Sequence, residues 1–182
     1  KSEESIKNNT IKVIIFYSIL SIIFLTLLNI SGVRLFNSLN LTMTLVSNGG
    51  FLPADNLNEI ISTNLQKLIL LIILIFSMLN FYLLFNIFNK NTFVKNHKED
   101  IYILVLSLVL ILLVYFNNFN GLNIFIGIIS SLANSGISLI KVDNNLSLYF
   151  LFITIIGGSL VSNSSGIKLG RFYILLKITS AE

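Results

Sequence analysis

Apolar residues fall in long unbroken runs along this chain rather than in a two-residue or soluble-helix alternation. No Asp, Glu, Lys or Arg occurs within residues 13–33, 68–89, 101–140 or 144–167. A charge at mid-bilayer costs roughly 2.5–3.5 kcal/mol on insertion scales, so runs this clean are what lipid selects. The run 68–89 would be about 33 Å long as a helix, against a hydrocarbon core of about 30 Å. The pattern predicts crossings at residues 11–30, 64–89 and 101–116, and a last apolar stretch at 146–176. A continuous last helix would be about 46 Å long, too long for the bilayer unless strongly tilted or broken. The break is predicted at Val161, Ser162, Asn163, Ser164, Ser165 and Gly166. Ser and Asn compete for backbone hydrogen bonds there, and Gly favours non-helical geometry.

Two further apolar segments, 34–46 and 121–133, lie between crossings. Each is about 13 residues, too short to span, so each reads as re-entrant or interfacial. Both end in a polar, Gly-containing turn. A shift of 86 residues places Asn48 on Asn134, Gly50 on Gly136, the first crossing on the third and the second on the fourth. Asn occupies 22 of the 182 positions, so the Asn match alone carries little. Asn, Gly, segment lengths and flanking crossings agreeing together predict an internal repeat, a usual build for membrane transport proteins. Two crossings separate the copies, so they are parallel. The predicted organisation is an N-terminal cytoplasmic segment (1–10), a first helix-pore-helix unit (11–89), a cytoplasmic linker (90–100) and a second unit with a broken last helix (101–178). The fold class is all-α membrane protein, with two parallel helix-pore loop-helix repeats.

Composition narrows the class further. Of all residues 54% are apolar and 11% charged, with mean hydropathy +0.87, whereas a soluble chain carries about 25% charged residues. With no Cys, disulfides and thiolate chemistry are excluded. The first apolar run is too long for a signal h-region and no Ala-x-Ala-like site follows it, so it is expected to remain as a membrane helix. The chain begins at Lys1 rather than Met, which leads us to expect residues upstream.

Orientation follows from the basic residues. If the crossings alternate, Lys1, Lys7, Lys12, Lys90, Lys95, Lys98, Lys168, Arg171 and Lys177 fall on one side, and Arg34, Lys67 and Lys141 on the other. The richer side is the cytoplasm. Both turns then face outward.

Irregular backbone at membrane depth is tolerated only where protein buries it or water reaches it. A half-helix ending in Asn-x-Gly presents free carbonyls and the negative end of a dipole, both favouring a cation. Carbonyl rings that replace a hydration shell suit potassium, and Gly lets the chain turn its carbonyls inward. An intramembrane enzyme is not expected: the sequence has no metal-ligand cluster, no paired aspartates within crossings and no Gly-x-Ser-x-Gly turn. His97, among Lys95, Lys98 and Glu99, reads as a solvated loop residue, and Asp55, Glu59 and Asp143 as a solvated outer rim. Lys168 and Arg171 are adequately explained by positive-inside placement.

The stretch Ser47-Asn48-Gly49-Gly50-Phe51 resembles the second pore loop of the Trk/Ktr/HKT potassium transporters, and Ala133-Asn134-Ser135-Gly136-Ile137 the third. Asn80-Phe81 is similar to that family's Asn-Phe in the second crossing. Most specific is Ile156-Gly157-Gly158-Ser159-Leu160-Val161-Ser162-Asn163-Ser164-Ser165-Gly166-Ile167-Lys168, with Arg171 and Leu175-Leu176-Lys177 beyond it. It resembles, at identical spacing, the Gly-rich intramembrane loop of TrkH-type proteins. The resemblance covers essentially the whole chain, which would be the middle two of the family's four units.

That resemblance implies a selectivity filter at Ser47, Asn48, Gly49, Gly50, Ala133, Asn134, Ser135 and Gly136, with potassium at Asn48, Gly49, Gly50, Asn134, Ser135 and Gly136. It implies a gate at Val161 to Gly166, no cofactor beyond the transported ion, and a multi-pass protein of the plasma membrane (the bacterial inner membrane). The implied partners are the lipid bilayer, the remaining helix-pore-helix units in the same or another chain, and a cytosolic nucleotide-binding regulatory ring. A homodimer is the other way to complete the ring, and nucleic acid is not expected. The chain departs from the family where Leu160, Val161, Ser164 and Ser165 replace gate glycines and Ile137 replaces a Phe. Those departures, with the absent outer units, frame the competing expectation of a non-conducting, truncated or vestigial fragment.

Overall fold

The computed structural model describes residues 2–79, 98–116, 121–139, 144–159 and 162–180. Within them the chain forms α1 (Ser2–Ile30), α2 (Leu35–Ser47), a 3-10 turn (Leu57–Glu59), α3 (Asn64–Met78), α4 (Lys98–Phe116), α5 (Gly121–Ala133), α6 (Asn144–Ile155), β1 (Ile156–Gly157), β2 (Ile167–Lys168) and α7 (Leu169–Thr179). The architecture is helical. The only pairing of strands among the described residues is a two-residue parallel bridge, Ile156 with Ile167 and Gly157 with Lys168.

The centre of the molecule is the contact of α3 with α5, with α2 packed on α1 and α3, and α4 and α6 packed on α5. On α3 the buried positions Gln66, Leu70, Ile73, Leu74 and Ser77 recur at helical spacing. They meet Ile126, Ile128 and Ile129 of α5, none of which retains exposed surface, in one apolar core. The outward face of α3 is apolar as well: Leu65, Leu68, Ile72 and Phe76 are exposed. The same holds for α1, where Ile14, Ile15, Ile19 and Ile22 face outward. A helix apolar all round is either enclosed in a large core or bathed in lipid. Here the second face is left uncovered among the described residues. One helical stretch among the described residues, Thr10–Ile30, is long and apolar enough to cross a membrane.

Local chemistry explains where α3 begins. The Thr63 hydroxyl accepts the Gln66 amide at 3.3 Å, while the Gln66 side-chain oxygen accepts the Thr63 amide at 3.2 Å and the Ser62 amide at 3.0 Å. This reciprocal capping box satisfies amides that the first helical turn leaves without partners. The Gln66 side-chain amide Nε2 donates to the Ser31 carbonyl at 3.2 Å, fastening the start of α3 to the residue that follows α1.

Three boundaries differ from the sequence-based expectation. First, α1 runs through residues 2–10, which were expected only as a flanking segment. Second, the crossing expected at 64–89 is helical to Met78, where Leu79 becomes extended. There the Met78 carbonyl accepts the Ser159 amide at 3.2 Å, and a Cβ on Gly158 would stand 2.5 Å from that same oxygen. A second segment therefore docks on the helix end. Third, the last apolar stretch breaks earlier and over a longer span than expected, between Ile155 and Leu169. The reason lies in Gly157 and Gly158: a Cβ on Gly157 would sit 2.1 Å from the Ser165 carbonyl oxygen, so the backbone folds on itself where no side chain could fit. By contrast, the half-helix expected at 121–133 matches Gly121–Ala133, and that expected at 34–46 is displaced by one residue to Leu35–Ser47. Asn80, Phe81, Lys90, Lys95, His97, Lys141, Asp143, Leu160 and Val161 lie outside the described residues.

Candidate functional site

Helices α2 and α5 are both 13 residues long, and they stop in the same way. Asn48 follows α2 in the left-handed region at φ 51°, and Asn134 follows α5 at φ 55°. Asn tolerates this conformation better than other residues with a side chain. One residue further on, the Gly49 amide reaches back to the Thr44 carbonyl at 3.1 Å, and the Ser135 amide reaches the Ser130 carbonyl at 3.0 Å. Such six-to-one bonds satisfy carbonyls that a helix end otherwise leaves open. Then come Gly50 and Gly136, at φ 71° and 69°.

A hydroxyl in the last turn of each helix holds the residue after the glycine. Thr44 Oγ1 donates to the Phe51 carbonyl, and Ser130 Oγ donates to the Ile137 carbonyl. Thr44 and Ser130, like Phe51 and Ile137, are 86 positions apart. Ser130 Oγ also accepts the Ile137 amide at 3.1 Å and lies 2.8 Å from Ser135 Oγ. The environments still differ, for Phe51 is 80% exposed and Ile137 1%.

The two turns meet. A Cβ on Gly50 would lie 3.1 Å from the Ser135 carbonyl oxygen and 3.7 Å from the Cα of Gly136, and a Cβ on Gly136 would lie 3.5 Å from the Cα of Gly50. At Gly50 a side chain would crowd the Ser135 carbonyl, while at Gly136 the approach is ordinary contact and the positive φ is what favours glycine. Ser47 and Gly49 are exposed, whereas Ala133 and Ser135 are buried. A cavity of about 220 Å³ runs beside the second turn, lined by Ser130, Ser131, Asn134, Gly136, Phe150 and Thr154 among others.

The loop from Gly158 to Gly166 lies against both turns. Asn163 Nδ2 donates to the Val46 carbonyl at 2.5 Å, near the end of α2, and Asn134 Nδ2 donates to the Ser165 carbonyl at 3.2 Å. The other end of the Asn163 amide accepts the Tyr17 hydroxyl, so α1 also touches the loop. Inside it, the Gly158 amide donates to Ser164 Oγ at 2.7 Å, Ser162 Oγ donates to the Ser159 carbonyl at 2.8 Å, and the Ser162 and Ser164 hydroxyls are 2.7 Å apart. Ser164, which stands at an expected glycine position, thus shares the loop's internal bonds with Ser162. Asn48 has no counterpart to the Asn134 bond: both polar atoms of its side chain are buried without a partner among the described residues.

Of the residues singled out in the sequence, Asn48, Gly50, Asn134 and Gly136 converge with Ser162 to Gly166, while Asp55 and Glu59 stand exposed on the segment after the first turn. Thr44 and Ser130 escaped the sequence reading, although their common offset of 86 was there to be read. Tyr17 carried no signal, since 146 residues separate it from Asn163.

No family model matches the chain. Over 172 residues, 92% of the chain, it is 26% identical to a protein of Methanocaldococcus jannaschii described as an uncharacterized cation transporter. The aligned part is 36% of that protein, so the chain spans about a third of the length of the curated relative it matches.

Proposed function

We propose that the chain carries a monovalent cation, potassium foremost, across a membrane as part of a TrkH-like pore built from helix-pore-helix units. The observation that carries this reading is the pair of turns: two short helices ending in left-handed Asn and positive-φ Gly, pinned by equivalent hydroxyls and brought into backbone contact. Each turn concentrates helix C-terminal carbonyls, whose partial negative charge favours a cation. Peptide carbonyls can stand in for a potassium hydration shell. The Asn48 carboxamide, unpartnered among the described residues, places another oxygen at the first turn, and a buried acceptor left unpaired costs about 1–3 kcal/mol unless something coordinates it. The distant relative described as a cation transporter points the same way.

In this reading Ser47–Gly50 and Ala133–Gly136 form half of a filter, the loop reaching Gly166 is the gate, and the remaining half comes from further units in the same or another chain. The protein sits in the plasma membrane, where a cytosolic nucleotide-binding ring is a fitting regulator. A second reading, a fragment that conducts nothing by itself, is favoured by one observation: Gly50 and Gly136 touch, so no ion path runs between these two turns alone.

Potassium-driven flux separates the two. The isolated chain in liposomes, shown to be monomeric, is expected to be silent. Expressed with the coding sequence that flanks it, it should restore growth at low potassium to cells lacking their own uptake systems, and the Gly136→Val form should not. Failure of every assembled form to move potassium or sodium would leave the non-conducting reading standing.

A further inference from the structure

The loop between α6 and α7 is organised around an amino group of its own. Lys168 Nζ lies 3.2 Å from the Ser162 carbonyl, 3.2 Å from Ser162 Oγ and 3.2 Å from Ser164 Oγ, and it donates to the Ser164 carbonyl as well. Two peptide carbonyls and two hydroxyls therefore converge on one compact monovalent cation. Lys168 is held over them because β2 pairs with β1, which fixes its backbone opposite Gly157. On the far side the Glu99 carboxylate accepts the Gly170 amide at 2.8 Å, anchoring the first turn of α7 next to the lysine. Positive-inside placement puts Lys168 on one side of a membrane but does not account for a four-oxygen shell.

We propose that the carbonyl and hydroxyl oxygens of Ser162 and Ser164 form a cation cage whose resident is the chain's own Lys168 ammonium, and that a free monovalent cation or a small primary alkylammonium occupies the cage when that amino group is removed. This rests on the reading of the loop as a gate only for its consequence, not for the site itself. Hydrogen bonds to a charged donor are about twice as strong as neutral ones, so the ammonium is the strongest tie within the loop. Because the same loop bonds to Val46 and to Asn134, the occupied cage holds it against both turns. A lysine is a point charge with three rotatable donors, a role that the planar guanidinium of arginine does not reproduce.

Amide hydrogen exchange in lipid nanodiscs tests the cage without requiring transport. The reporters are the Gly158 amide, bonded to Ser164 Oγ, and the Ser162 amide, bonded to the Ser159 carbonyl. Lys168→Met should speed their exchange by about tenfold or more, the loss expected for a charged hydrogen bond. Added ethylammonium or rubidium should restore protection, and tetramethylammonium, bulky and without N–H donors, should not. Unchanged exchange in Lys168→Met, or equal rescue by tetramethylammonium, overturns the proposal. Should that variant not fold, Ser162→Ala in the otherwise native chain reads the cage from its oxygen side: severalfold faster exchange is expected, and native protection would overturn it. Potassium flux measured on the same samples bears on the pore reading alone, so a cage that behaves as stated in a chain that never conducts would separate the two.

Discussion

Ser130 and Ile137 are joined twice: the Ser130 hydroxyl accepts the Ile137 amide at 3.1 Å and donates to the Ile137 carbonyl, both in the buried interior. Thr44 makes the second of these bonds to Phe51 in the first turn. Each hydroxyl stands six residues before its glycine and holds the residue just after it, which closes the turn around Asn-x-Gly. Ser130→Ala should therefore lower stability by about 1–3 kcal/mol, the cost of leaving a buried polar group unpaired. Denaturant unfolding in detergent micelles measures it. Thr44→Val should cost less, because Phe51 is exposed and water can replace the lost donor. Equal effects, or none, would mean that the hydroxyls do not hold the turns.

The glycines at the contact should tolerate no side chain. At Gly50 a Cβ meets both a positive φ and the Ser135 carbonyl oxygen at 3.1 Å, while at Gly136 the nearest atom is the Gly50 Cα at 3.5 Å. Backbone strain of this kind costs about 1–3 kcal/mol per residue. Gly50→Ala should thus destabilise more than Gly136→Ala, and in a conducting assembly Gly136→Val should abolish or broaden potassium selectivity while insertion persists. Ion selectivity and unfolding measured side by side check both; unchanged selectivity would place Gly136 in an ordinary turn.

Tyr17 and Asn163 should be energetically coupled. The Tyr17 hydroxyl donates to an Asn163 amide that also donates to the Val46 carbonyl, so one side chain bridges α1, the loop and the end of α2. In a double-mutant cycle of Tyr17→Phe and Asn163→Ala, the interaction energy should fall within about 0.5–3 kcal/mol, the range for residues sharing a hydrogen-bond network. Simple additivity would show that α1 and the loop are independent.

The linker around Lys90–Lys98 should be cytoplasmic, because its lysines cluster between two predicted crossings and basic residues stay on that side. A cysteine at Asn91 should resist a membrane-impermeant thiol reagent applied to intact cells. Ready labelling would reverse the whole orientation, including the outward placement of Asn48 and Asn134.

How much of this was legible in the sequence depends on the range of the interaction. The apolar runs, the short segments ending at Ser47 and Ala133, and the offset of 86 between the Asn-x-Gly turns are local patterns, and local patterns are what burial and backbone preference write along a chain. The ends of α2 and α5 followed from them to within one residue. The end of α3 at Met78 did not, for it depends on the Ser159 amide and on the close approach of Gly158, 80 residues further along. The true width of the break in the last apolar stretch was hidden for the same reason. Gly157 folds back on Ser165, which no periodicity announces.

The sequence by itself thus determined a mostly helical chain with long uncharged runs and two similar turns, because hydrophobicity, helix length and the conformational freedom of Asn and Gly act over a few residues. The tertiary structure alone decided that Gly50 touches Gly136, that Asn163 joins Tyr17 to Val46, and that Lys168 turns its ammonium into the loop instead of outward. No local pattern announces those contacts; they exist because packing the helices brings backbone segments and polar side chains together, and buried polar groups are then paired.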